Sequence, residues 1–295
     1  MLRLELPSTP ECGTLVRALL MGVGSALAWG GELIEDLKTA VTEACNNVVL
    51  HAYPGRVGKL VLRLDAEGEW IEVLVCDEGE GFHGVAAGDD HLHVGLPVIS
   101  SLAERVEYLS PSDGGTEVRM FFRARGPRPV DPTGPGQAGQ REWGPDPATL
   151  TQMAGSWTAD SMSTLVGDDE LLGGDVVGVV FPAALLGPVL GRLVRALAAG
   201  NHFRLDRFSE LRVLTDTLGA HARAAPGDHR LAFALAATDR RLELVAGPFA
   251  PGSGTVFTGE GSASPASPLR DLVDDLTVGP GQRGEIVKLV VSDPR

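Results

Sequence analysis

Along the first 125 residues the apolar positions recur with two different periods. Between Asp36 and Ala52, Leu37, Ala40, Val41, Ala44 and Val48 fall on one helical face, and Asp36, Thr39, Glu43 and Asn47 on the other. This spacing predicts a helix, and the apolar run Thr14–Trp29 predicts another before it. Period-two alternation predicts strands over Leu2–Leu6, Lys59–Asp65, Trp70–Asp77 and Thr116–Arg123. A glycine-rich loop runs from Asp77 to Gly95, and Leu96–Val106 reads as helix. The order strand, two helices, two strands, loop, helix, strand predicts an α+β sandwich of two layers, a mixed sheet with helices on one face.

Residues 126–147, GPRPVDPTGPGQAGQREWGPDP, have no periodicity and are dominated by Pro, Gly and polar residues, the composition of a linker. Residues 148–295 then repeat the element order, with a core from about 175 to 295. Val176–Val180 is a strand, Leu185–Ala199 and Phe208–Arg223 are helices, and His229–Ala236 and Arg241–Ala246 are strands. LRDLVDDLTV then matches ISSLAERVEY as a helix, and GEIVKLVV matches GTEVRMFF as a strand. We read an internal duplication with a period of roughly 170–175 residues. LTQMAGSWTADSMSTLV, before the repeat, has no counterpart in the first half.

Composition narrows the classes of function. The chain is 43% hydrophobic and 22% charged, enough apolar residues for a core. Its net charge of −14 is acidic through both segments, so a phosphate-backbone binder is not expected. Three cysteines, Cys12, Cys45 and Cys76, show no CxxC spacing, which predicts no disulfide framework, no zinc site and a reducing, cytoplasmic location. Cys45 reads as core packing. No secretory leader pattern is present at the N-terminus, and the apolar stretch Val176–Leu190 is interrupted by Gly and Pro, so no membrane span is expected.

Four short patterns carry candidate chemistry. Glu43 and Asn47 stand one helical turn apart, a carboxylate suited to orienting or deprotonating a nucleophile and an amide oxygen suited to Mg²⁺. Taken alone, the pair is equally a solvated helix face. Asp77-Glu-Gly79-Glu-Gly81 follows a strand, where an aspartate can accept from an exocyclic amine and glycines allow close backbone approach. Taken alone, it is a tight acidic turn. His93-Val-Gly95-Leu opens a helix whose N–H groups suit a phosphate, and Gly114-Gly115-Thr116 enters the last strand. Each of these two is also an ordinary turn.

In this order and spacing the four patterns together resemble the GHKL ATPase superfamily, whose fold is the Bergerat sandwich. TEACNNVVLHAY in particular is similar to the N-box of the bacterial anti-sigma-factor serine/threonine kinases. The resemblance covers residues 1–125 and implies an ATP site with Mg²⁺. By it, Glu43 is or positions the base and Asn47 ligates Mg²⁺. Asp77 binds the adenine amino group, Gly79 and Gly81 line the nucleotide, Gly95 sits beside the phosphates, and Thr116 supports adenine recognition. The partners implied are a sigma factor and an anti-anti-sigma protein with a phosphorylatable Ser or Thr. Relatives with one domain pair as homodimers, so the two halves here pair either between chains or as a pseudo-dimer within one. The sequence departs from the family at His93-Val94-Gly95-Leu96, where Gly-Arg-Gly-Leu is usual; the missing arginine takes away a partner for the γ-phosphate, and His91 and His93 replace it only in part.

The second half reads as a degenerate copy. Asp216 or Thr217 stands opposite Glu43, Ala220 or His221 opposite Asn47, Gly247-Pro248 opposite Cys76-Asp77, and Glu285 opposite Thr116. No nucleotide site is expected there. Two functions follow: an ATP-dependent kinase of an anti-anti-sigma partner, or a regulator that binds its partner without phosphotransfer.

Overall fold

The computed structural model describes residues 1–80, 95–111, 114–124, 176–224, 230–259, 268–281 and 283–294. The linker, Gly81, His91, His93 and the segment before the repeat lie outside them. The first half holds β1 (Leu2–Pro7), α1 (Cys12–Ala26), α2 (Gly31–Asn47), β2 (Lys59–Glu67), β3 (Trp70–Asp77), α3 (Gly95–Leu102), β4 (Arg105–Leu109) and β5 (Thr116–Arg123). The second holds β6 (Val176–Val180), α4 (Leu186–Gly200), α5 (Arg207–Ala224), β7 (Leu231–Thr238), β8 (Arg241–Phe249), α6 (Ser253–Thr258), a short helix Pro268–Leu272, β9 (Asp275–Pro280) and β10 (Glu285–Ser292).

The ten strands form one sheet in the order β4-β5-β3-β2-β1-β6-β7-β8-β10-β9. Read outward from the centre, each half lays its strands down in the same sequence: first, second, third, fifth, fourth. The halves meet where β1 pairs with β6, Leu2 opposite Val180 and Glu5 opposite Val177. β1 is therefore paired on both sides, since Leu2–Pro7 also runs along β2 from Leu64 to Lys59.

Alternation decides which face carries the helices. Leu2, Leu4 and Leu6 of β1, Leu60, Leu62 and Leu64 of β2, and Ile71, Val73 and Val75 of β3 are all buried in the same core as α1 and α2. Leu231, Phe233 and Leu235 of β7, with Leu242 and Leu244 of β8, continue that core under α4 and α5. On α2, Leu37, Ala40, Val41, Ala44 and Val48 are the buried stripe that the spacing predicts, and Cys45 is buried beside them. Leu211, Leu214 and Leu218 do the same on α5. Each fully buried side chain of this kind contributes roughly 1.5–3 kcal/mol. The opposite face of the first half is charged: Arg119 lies 3.2 Å from Glu72 and 3.8 Å from Glu107, and Arg3 pairs with Glu5.

The sandwich of sheet and helices is as expected, but its sheet is antiparallel at every pairing rather than mixed. Two helices intervene between β1 and β2, so the chain reverses an odd number of times and β2 returns antiparallel beside β1. ISSLAERVEY and LRDLVDDLTV each divide into a short helix and a strand, giving the edge strands β4 and β9. One helical stretch, Ala183–Gly200, is long and apolar enough to cross a membrane; half of it is buried, and Leu186, Val189, Leu190, Leu193 and Val194 line the core.

Helices α1 and α4 pack across the seam between the halves. A Cβ at Gly22 would lie 2.6 Å from the Pro188 carbonyl oxygen, so this position tolerates no side chain without moving one helix. Gly22→Leu is expected to destabilise the chain by about 1–3 kcal/mol through overpacking, read as a lower midpoint in urea unfolding.

Candidate functional site

Helix α2 carries Glu43 and Asn47 on its half-buried polar side, one turn apart. It ends at Asn47 and continues as one wide π-turn, Val48–Ala52. Such turns interrupt helices where a site needs the backbone re-aimed. Here the result is that the Ala52 carbonyl meets the loop after β3, accepting the Glu80 N–H at 3.1 Å.

Asp77 is the last residue of β3 and pairs in register with Thr116, the first of β5. It is only 7% exposed. Its Oδ1 accepts the Gly79 N–H at 2.8 Å, and Thr116 opposite it also favours the ionised carboxylate. An ionised carboxylate accepts about four hydrogen bonds. The Gly79 N–H takes one of them, and the carboxylate keeps capacity for a donor from outside. Burial, opposed by those hydrogen bonds, holds the carboxyl above its ordinary range.

The glycines around it are fixed by close backbone approach. A Cβ at Gly79 would sit 2.1 Å from the Ala52 oxygen, and one at Gly115 2.0 Å from the Asp77 oxygen. Gly115 also adopts φ +83°, a left-handed conformation that suits glycine. Its N–H bonds the Gly79 carbonyl at 3.0 Å, closing the two glycine turns on each other. Together these contacts pack the Gly79 and Gly115 turns backbone to backbone into a glycine cradle beside Asp77.

Tyr53, five per cent exposed, ties the cradle to the sheet, a role that the spacing did not reveal. Its hydroxyl donates to the Lys59 carbonyl at 2.6 Å and accepts the Glu78 N–H at 2.7 Å. The available signal was its place at the end of TEACNNVVLHAY, directly after the re-aimed turn. Lys59 and Glu78 also pair at 2.7 Å, but both are exposed and the pair contributes little.

The structure thus brings Asp77, Gly79 and Thr116 together and links them through Ala52 to the helix of Glu43 and Asn47. Gly95 is the first residue of α3, which packs against α2. Gly81 lies outside the described residues. Among the described residues no three His, Cys, Asp or Glu side chains gather to hold a metal.

A carboxylate at a strand end beside a glycine cradle, under a helix that carries Glu and Asn one turn apart, suits a nucleotide. Residues 6–122 match the family described as Histidine kinase-like ATPase domain. The serine-protein kinase RsbW of Bacillus cereus (strain Q1) is 31% identical over 133 residues, 40% of this chain and 82% of that protein. RsbW of Bacillus subtilis (strain 168) is 39% identical over 82 residues, 28% of this chain and 51% of that protein. The chain belongs to the histidine kinase-like ATPase family, on the branch of the RsbW serine-protein kinases. It spans about half the length of the Bacillus subtilis relative. Among solved structures, the RsbU and RsbW domains of Rv1364c from Mycobacterium tuberculosis align with a TM-score of 0.34 at 22% identity, over 41% of this chain and 31% of that one.

The raised Asp77 has a definite pH consequence. A carboxyl whose folded-state value exceeds its unfolded one adds stability below the unfolded value, and that contribution is lost as pH rises through the folded value. Asp77 is expected to titrate above an exposed aspartate, followed by carboxyl ¹³C chemical shift in the full chain. A midpoint in or below the ordinary aspartate range would contradict the burial described here.

Proposed function

We propose that this chain is an ATP-binding regulator of the anti-sigma-factor type that phosphorylates a Ser or Thr on an anti-anti-sigma partner. The observation that supports the reading is the buried Asp77 carboxylate at the strand end beside the Gly79 and Gly115 turns, which suits the exocyclic amine of adenine. Thr116, which holds that carboxylate, supports the same recognition. Gly79 and Gly81 would line the nucleotide, and Gly95, opening α3, would sit beside its phosphates.

With no carboxylate cluster among the described residues, Mg²⁺ would be held by the Asn47 amide oxygen together with phosphate oxygens and water, the sparse set this ion prefers. When bound it would neutralise charge on the phosphates. Glu43 would orient the partner's hydroxyl and take its proton. The hydroxyl oxygen forms a bond to the γ-phosphorus, the bond from that phosphorus to the β–γ bridging oxygen breaks, and ADP leaves.

The proposed organisation is an ATP-binding domain at residues 1–125, a linker at 126–147, and a degenerate copy at 148–295. The matching strand order of the two halves supports it. The edge that a lone domain would offer to a second copy, β1, is already paired with β6. The chain would then be its own pseudo-dimer, cytoplasmic, and would meet a sigma factor as the other partner. The second reading, binding without phosphotransfer, is favoured by the missing lid arginine at Val94.

Asp77→Asn is expected to weaken ATP binding roughly ten- to a hundredfold, the equivalent of losing a charge-assisted hydrogen bond, by calorimetry. Glu43→Gln and Asn47→Ala should abolish magnesium-dependent transfer from labelled ATP to an anti-anti-sigma protein while circular dichroism shows the fold intact. Binding without transfer in the wild-type chain would select the second reading.

Light scattering should give the mass of one chain, 30.9 kDa, at micromolar concentration. A stable dimer would mean that pairing uses another surface.

A further inference from the structure

In the second half, aromatic rings fill the interval between the end of its third strand and its second helix. In the first half the register partner of the fifth strand's first residue, Thr116, is the carboxylate Asp77. In the second half the partner of the corresponding Glu285 is Phe249, because a bulge between Glu285 and Val287 shifts the pairing by one from Pro248. Phe249 meets Phe257 of α6 edge to face, with centroids 5.1 Å apart. Phe257 in turn meets the ring of His221 on α5, 4.6 Å away. Ala220 or His221 stands opposite Asn47 in the proposed repeat. These three rings therefore bridge the sheet end and the second helix, the interval that Asp77 and Asn47 bound in the first half.

Both phenylalanines are buried, Phe257 completely. The helix that carries Phe257 is held at its other end by Glu285, whose two carboxylate oxygens accept the N–H groups of Gly252 at 2.8 Å and Gly254 at 2.6 Å. Gly252 and Gly259, both with positive φ, mark the two ends of the helix. A Cβ at Gly254 would come within 2.9 Å of Val278 on β9, so the helix is also seated tightly against the sheet edge.

We infer that α6 is an internal ligand: it occupies in the second half the place that a nucleotide takes in the first, and holds that half permanently closed. Aromatic stacking against Phe249 and His221 stands in for contacts to a base, and the Glu285 carboxylate, facing backbone N–H groups, repels a phosphate chain from the same entrance. The chain then has one nucleotide site, and its second half is a fixed platform that does not respond to ATP. This rests on the ATP reading of the first half, but the seating of α6 can be tested separately.

Calorimetry on the full chain should give one ATP per chain with a simple hyperbolic isotherm, and Asp77→Asn should weaken that one event roughly ten- to a hundredfold. Hydrogen exchange should find the amides of residues 253–258 protected, with no change on saturation with ATP. Phe257→Ala and, more mildly, Glu285→Ala should raise exchange in that segment tenfold or more while β1 and β6 stay protected. Two nucleotides per chain, residues 253–258 exchanging like a loop in the wild type, or protection there indifferent to both substitutions would overturn the inference. If no ATP binds at all, the proposed function fails, and the exchange measurements still decide whether α6 is seated. If Phe257→Ala unfolds the chain, Glu285→Ala carries the test.

Discussion

The antiparallel pair of β1 with β6 is the contact on which the rest of the molecule depends. It turns two five-stranded sheets into one and brings α1 against α4 at Gly22. An unpaired β1 would be an exposed edge with Leu2, Leu4 and Leu6 on one face. The second half supplies both the hydrogen-bond partners for that edge and part of the cover for its apolar side. What the second half contributes at this seam is thus structural.

Within the first half the constraint is a buried carboxylate. Placing Asp77 at seven per cent exposure costs desolvation, which hydrogen bonding, that of the Gly79 N–H included, only partly offsets. The glycines of the cradle and the Tyr53 hydroxyl hold that N–H in place. A position designed for stability alone would have an apolar residue here, as the second half does with Phe249. The third strand of the first half thus ends polar at Asp77, and that of the second half ends in the core at Phe249.

Much of this was legible in the residues because helical and strand periods report burial directly. The stripe on α2 and the strands Trp70–Asp77, Thr116–Arg123 and Val176–Val180 all carry strong local signals. The edge strands did not. Arg105–Leu109 and Asp275–Pro280 are short, pair on one side only and expose much of their length, so neither shows clean alternation. Each follows a helix so closely that a single helical pattern covered both. Helix α6 was missed because SGTVFT is short, rich in poor helix formers, and held by Glu285 from thirty residues away. The bulge that brings Phe249 opposite Glu285 is likewise a tertiary fact; strand counting alone puts Pro248 there. At the site, the residue types and spacing were readable, whereas the part of Tyr53 depended on where a π-turn aims a carbonyl.

The doubly paired first strand has a consequence for synthesis. Residues 2–7 leave the ribosome about 170 residues ahead of their second partner, residues 176–180. At about 5–20 residues per second, one side of β1 waits roughly ten to forty seconds for its complement. During that interval the nascent first half has to keep a finished sheet edge away from its neighbours on the same messenger. The order of the halves along the chain therefore sets a window of vulnerability, and slow elongation between them would widen it.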